Sequence, residues 1–324
     1  MHSQRLSFRT YLKSFARLIR LPNVLILILT QFMLRYCIIA PNIYPEDPAA
    51  ISTFADFLVL VLTTLLIAIG GYIINDYFDV KIDRINRPDK QVVNRVISPR
   101  AAIKLHMLLN GIAILLGFYL AYRIKTLSFG FIFPFISALL WIYSAKYKKM
   151  LFWGNFIVAA ITSFVILIVW LFEFFWLRLD AGLFADVMAD IRWVTFVFMG
   201  YAMFAFLISM IREIIKDMED ARGDETYGCK TIPLVAGIRL TRYLLALMII
   251  ITMALLAFAQ VVLYRLNLQM VFWYFSITIQ FPAIYLLVKL FRAHEPQDYH
   301  YLSNLCKVIM VAGILSMELI LISN

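Results

Sequence analysis

Nine blocks of apolar residues, at about 22–40, 54–75, 102–122, 127–145, 151–177, 193–215, 241–264, 270–291 and 303–323, dictate most of what this chain can become. Each is long enough to cross a hydrocarbon core as a helix, which takes about 20 residues. A backbone inside a bilayer must satisfy its own hydrogen bonds, so a span is either a helix or a strand of a closed barrel. No alternating segments of about ten residues suggest a barrel. Of the 324 residues, 63% are hydrophobic and 15% charged, against about 45–50% and about 25% in soluble domains. A soluble fold has no interior large enough for that surplus. The expectation is an all-α, polytopic membrane helical bundle of about nine transmembrane helices, forming one membrane domain over residues 1–324, since no Ser/Gly/Pro-rich linker divides it.

The charges sort by side. With the N-terminus cytoplasmic, all but six of the 30 Lys and Arg fall on the cytoplasmic face, the six being Arg35, Arg123, Lys125, Arg178, Arg192 and Arg265. The positive-inside rule then predicts the N-terminus and the loops around 81–104, 146–149 and 212–242 in the cytoplasm and the C-terminus opposite. The net charge of +10 is explained by this asymmetry, which removes support for a nucleic-acid partner. Residues 1–20 mix Arg5, Arg9, Lys13, Arg17 and Arg20 with Leu6, Phe8, Tyr11, Leu12, Phe15, Leu18 and Ile19, the pattern of an interfacial amphipathic helix. The apolar block after it is too long for a signal peptide. Cys37, Cys229 and Cys306 have neither paired nor metal-type spacing.

Two cytoplasmic segments, 76–101 and 216–240, carry most of the acidic residues on their side. Asn75, Asp79 and Asp83 recur every four residues and share one helix face. Asp217, Asp220 and Asp224, with Glu213 before them, form a second stripe. The same number of residues separates Asp79 from Asp220 and Asp83 from Asp224, which suggests two related helical units facing one another. Stacked like charges destabilise a helix, so a cation is expected to compensate them. Mg2+ suits the donor set, because it takes one or two carboxylates, keeps several waters and completes its shell with phosphate oxygens. Zinc is disfavoured, since neither His nor Cys accompanies the carboxylates. The same segments are rich in Lys and Arg, with Lys146, Lys148 and Lys149 between them. Carboxylates for a metal and cations for oxygens together describe a diphosphate site.

Plainer readings exist for each feature. A single acidic residue at a helix end is ordinarily solvated, and a single basic one is explained by orientation or anionic lipid. Two matched acidic triplets flanked by cations are not explained that way. Trp141, Tyr143, Tyr147, Trp153, Phe172, Phe174, Phe175, Trp176 and Trp193 lie near span ends, where an aromatic belt is expected, and some could line a prenyl tunnel. An ion-coupled secondary transporter is the rival class, but its intramembrane carboxylates would sit on broken helices near the midplane. A non-catalytic scaffold gives no reason for both triplets.

These motifs resemble those of the UbiA superfamily of intramembrane prenyltransferases. Asn75, Asp76, Asp79 and Asp83 match the family's Asn-Asp-x-x-Asp-x-x-x-Asp, and Lys216-Asp217 with Asp220 and Asp224 matches its second motif. After Asn86-Arg87-Pro88 the family commonly shows a further Arg-Pro and a glycine, whereas this chain has Asp89-Lys90-Gln91. The resemblance implies two related four-helix units around a central cavity. It also implies transfer of an isoprenyl group from an allylic diphosphate (geranylgeranyl or farnesyl) to a lipophilic acceptor. Asp79, Asp83, Asp220 and Asp224 would be catalytic, and Mg2+ would be held by these together with Asn75, Asp76 and Asp217. Arg87, Lys146, Arg212, Lys216 and Lys230 would bind the diphosphate. The run Arg212 to Asp220, followed by Gly223-Asp224, looks most like members that alkylate geranylgeranylglyceryl phosphate in ether-lipid synthesis; aromatic prenyltransferases of quinone pathways are the alternative.

Overall fold

The structure is a computed structural model, and it describes residues 8–44, 51–86 and 91–323. A helix, α1 (Phe8–Leu18), precedes the apolar blocks. Among the described residues nine helices are long and apolar enough to cross a membrane: α2 (Leu21–Ile43), α3 (Phe54–Asn86), α4 (Pro99–Arg123), α5 (Leu127–Ala145), α6 (Trp153–Leu177), α7 (Met188–Thr226), α8 (Ile232–Arg265), α9 (Gln269–Arg292) and α10 (Pro296–Ser323). The chain is an integral, multi-pass membrane protein.

The expected spans and the observed helices differ most at two ends. The second and sixth blocks end near residues 75 and 215 by hydropathy, but α3 and α7 continue to Asn86 and Thr226. No proline interrupts either extension, and its charged and aliphatic residues are adequate helix formers outside the bilayer. Both acidic motifs therefore ride on continuous helix. Starts are set by local chemistry. Ser98 Oγ accepts the amide of Ala101 at 3.2 Å ahead of Pro99, so cap and proline together fix the beginning of α4.

Contacts divide the chain into two compact units, residues 1–28 with 54–148 and residues 29–53 with 149–324. In the first, α3 packs along α4 and α5. Small residues permit the close approach: a Cβ on Gly70 would lie 2.3 Å from Asn110 Nδ2, and one on Gly117 would lie 2.1 Å from the Phe133 ring. Leu18, Ile73, Val92, Val93 and Ala102 form a buried cluster that joins α1, α3, α4 and the 92–97 turn. Trp141 packs within this unit against His106 and Phe78, with ring centroids 5.2 and 5.9 Å away.

In the second unit α7 is central, lying against α6, α8 and α10. A π-turn at Leu34–Ile39 in α2 carries Arg35 into the interior. There Arg35 Nη1 meets Glu173 Oε1 at 2.8 Å and Ser52 Oγ at 2.7 Å, and the Ser52 amide donates to Glu173 Oε2 at 3.2 Å. Two charges otherwise costly in an apolar bundle are thus paired and hydrogen-bonded.

Candidate active site

In the first unit the stripe on α3 is assembled as its spacing predicts. Asn75 and Asp79 are 8% and 4% exposed, one helical turn apart. Asn75 Nδ2 donates to Asp79 Oδ2 at 2.8 Å, and the Lys148 ammonium ion-pairs with the same oxygen. Burial alone would lower the pKa of Lys148, but Asp79, then Tyr143 and Asp83, outweigh it and hold the ammonium above the ordinary lysine range. Asp83, one turn further on, is half-buried. Asp76 is rotated off the stripe by about 100°, the step of one helical residue. It accepts a bond from Arg20 Nη2 at 3.1 Å, and that guanidinium also lies over the Tyr72 ring at 4.8 Å. Lys146 is exposed. Arg87 and Lys90 lie outside the described residues.

In the second unit the corresponding stripe lies on α7. Asn155, at the start of α6, donates through Nδ2 to Asp217 Oδ2 at 2.8 Å. Asp220 and Lys216 are half-buried and Asp224 is 8% exposed. Arg212 pairs with Glu213, and its Nε is buried with no hydrogen-bond partner among the described residues. Thr231 Oγ1 is orphaned in the same way. Glu219, between the motif aspartates, meets His300 Nδ1 at 3.0 Å. Lys230 is exposed, and its backbone amide donates to Lys149 O at 2.9 Å.

Three partners of the motifs could not be singled out by spacing. Lys148 stood in a run of cations without distinction from Lys146. Arg20 lies 56 residues from its partner and Asn155 lies 62 from its own. The one available signal for Asn155 is its being a polar side chain at the head of a largely apolar span.

The donor set fits magnesium. Every candidate ligand is a hard oxygen, and the Asp79 carboxylate already holds a cation in the form of the Lys148 ammonium. Among the described residues no three or more His, Cys, Asp or Glu side chains gather as a closed metal cage. Mg2+ does not demand one, since waters and phosphate oxygens complete its shell. The buried, unpaired Arg212 Nε and Thr231 hydroxyl are donors suited to such oxygens.

A model of the UbiA prenyltransferase family matches residues 46–304. Digeranylgeranylglyceryl phosphate synthase from Thermococcus sibiricus is 33% identical over 183 residues, a stretch covering 56% of this chain and 56% of that protein. This chain thus aligns with little more than half of that relative's length. A solved structure concerned with digeranylgeranylglyceryl phosphate synthase in membranes superposes with a TM-score of 0.61 at 22% identity, over 95% of this chain and 98% of the other. A UbiA homologue from Archaeoglobus fulgidus, bound to DMAPP and Mg2+, gives a TM-score of 0.53 at 14% identity, over 94% and 99%.

Proposed function

Because the chain belongs to the UbiA prenyltransferase family, we propose that it transfers an isoprenyl group from an allylic diphosphate to a lipophilic acceptor, geranylgeranylglyceryl phosphate, in ether-lipid synthesis. The observation that carries this reading is the Lys148 ammonium seated on Asp79 beside Asn75, which supports reading the first motif as a cation seat rather than a solvated helix end. The acceptor is supported by the name of the Thermococcus relative, and the metal by the Mg2+ and DMAPP bound to the Archaeoglobus homologue.

In the reaction, the allylic C–O bond breaks and its electron pair leaves with the diphosphate. The acceptor hydroxyl forms the new C–O bond and releases its proton. The residues that would hold Mg2+ are Asp79 and Asp83, with Asn75 and Asp76, in the first motif, and Asp217, Asp220 and Asp224 in the second. When bound, Mg2+ neutralises charge growing on the departing diphosphate. Lys146, Lys148, Lys216, Lys230, Arg87 and Arg212 would suit diphosphate oxygens, a charge-assisted contact that also favours departure. Asn155 fixes the rotamer of Asp217. The apolar helices keep water from the allylic centre, which would otherwise be hydrolysed. The motifs and the N-terminus lie on the cytoplasmic side, the C-terminus on the other.

The test is purified protein in lipid nanodiscs with Mg2+ and radiolabelled geranylgeranyl diphosphate, offered geranylgeranylglyceryl phosphate or a hydroxybenzoate. The expected product is the labelled diether phosphate. Label appearing only on the aromatic acid would move the chain to quinone chemistry, and no diphosphate release with either acceptor would end the enzyme reading.

A further inference from the structure

The helix before the first span has three distinct faces. With about 100° between successive residues, Ser14 and Leu18 fall together, and both are buried; Leu18 belongs to the cluster with Ile73 and Ala102. Leu12 and Phe15 fall on a second face with Ile19, and are 59% and 55% exposed. Lys13 and Arg17 fall on a third, and both are exposed. One face packs onto the protein, one leaves large apolar side chains uncovered, and one carries exposed cations. A soluble surface helix has no use for the second face, whereas a helix at a lipid–water boundary uses all three.

Its placement agrees. Arg20, the residue between α1 and α2, has φ of 51°, in the left-handed region that non-glycine residues seldom enter. That turn takes α1 off the axis of the span that begins at Leu21, so α1 does not enter the bilayer as its continuation. The same Arg20 is tied to Asp76 at 3.1 Å and to the Tyr72 ring, both on α3. This tether sets the roll of α1 about its axis, and with it where Leu12 and Phe15 point.

We propose that α1 is a docking surface for the anionic phospholipid headgroups of the membrane, with Leu12 and Phe15 entering the acyl layer, Lys13 and Arg17 taking lipid phosphates, and Arg20–Asp76 fixing its orientation. The occupant follows from charge: anionic lipid supplies both an apolar phase for Leu12 and Phe15 and phosphates for the exposed Lys13 and Arg17 beside them.

The experiment places an environment-sensitive fluorophore on Phe15→Cys in the full chain, the three native cysteines being buried, and reconstitutes it into vesicles of phosphatidylcholine alone or with phosphatidylglycerol. Blue-shifted emission, quenched by a lipid-borne quencher and stronger with phosphatidylglycerol, is expected. Neutralising Lys13→Gln and Arg17→Gln should cost about 5-fold per charge in the docked-to-undocked ratio, in the anionic vesicles only. Arg20→Gln should weaken docking in both compositions, because it removes orientation as well as charge. A probe reporting water in every vesicle, or quenched only at high protein density by a second copy, overturns the proposal. An anionic response that survives Lys13→Gln/Arg17→Gln does so too, and unchanged burial in Arg20→Gln removes the tether from it. No turnover is needed, so these results stand apart from the proposed reaction.

Discussion

The two acidic motifs look like copies in sequence, yet they are held differently. On α3 the carboxylate of Asp79 is compensated by an ammonium, and Asp76 by a guanidinium. On α7 the carboxylate of Asp217 is held by the neutral amide of Asn155, with Asp224 and Glu213 adding negative potential and Lys216 opposing it. A charge-compensated carboxylate can stand without a metal. One held by a neutral amide, partly buried near other carboxylates, has less to stabilise its charged form, and gains more from an added cation. Before metal binds, then, the α3 motif is poised by protein cations, and the α7 motif gains more from an incoming ion.

The largest effect tests whether both motifs belong to the same chemistry. Asp79→Ala and Asp220→Ala should each lower kcat/KM for the allylic diphosphate by about 100- to 1,000-fold, the cost typical of removing one group that stabilises developing charge. Loss in only one of them, measured by diphosphate release at saturating Mg2+, would break the pairing and leave the other motif structural.

A smaller effect separates the supports. Asn155→Ala should raise the Mg2+ concentration needed for half-maximal activity by about 10- to 100-fold, the usual effect of losing a hydrogen bond that orients a metal-holding carboxylate, with kcat restored at high Mg2+. Asn155→Asp, which adds a like charge beside Asp217, should shift it further. An unchanged Mg2+ requirement in both variants would mean that Asp217 takes no part in holding the ion.

How much of this was legible in the sequence follows the physics of each feature. The spans were legible because bilayer thickness sets a length that composition alone can meet. The ends of α3 and α7 were not legible from hydropathy, which beyond the bilayer no longer reports helix; the spacing of the acidic triplets did imply helix there, and Asp83 and Asp224 lie on unbroken helix. The stripe Asn75–Asp79 was legible from four-residue spacing, since both residues belong to one helix. Its cation was not. Lys146, Tyr147, Lys148 and Lys149 run through a tight turn, where adjacent side chains diverge and spacing cannot say which one returns to Asp79. Arg35 and Glu173 lie 138 residues apart, so only packing could pair them.

The smallest effect is also the sharpest, because the two motifs should give opposite signs. Asp79→Asn removes the charge that partners a half-buried ammonium, leaving Lys148 uncompensated; the full cost of breaking a buried pair is moderated here by the solvent that reaches Lys148, to about 1–2 kcal/mol. Asp217→Asn keeps an oxygen to accept the Asn155 bond and removes the need to bury a carboxylate beside Asp224 and Glu213, so without metal it should stabilise by about 0.2–0.5 kcal/mol. Thermal unfolding in detergent with EDTA reads both: the melting point of Asp79→Asn should fall, and that of Asp217→Asn should hold or rise. Added Mg2+ should raise the wild-type midpoint by binding the folded state, and raise it less in Asp217→Asn. If both variants fall equally in EDTA, the asparagine-held carboxylate is as well compensated as the lysine-held one, and the two motifs do not differ in what poises them.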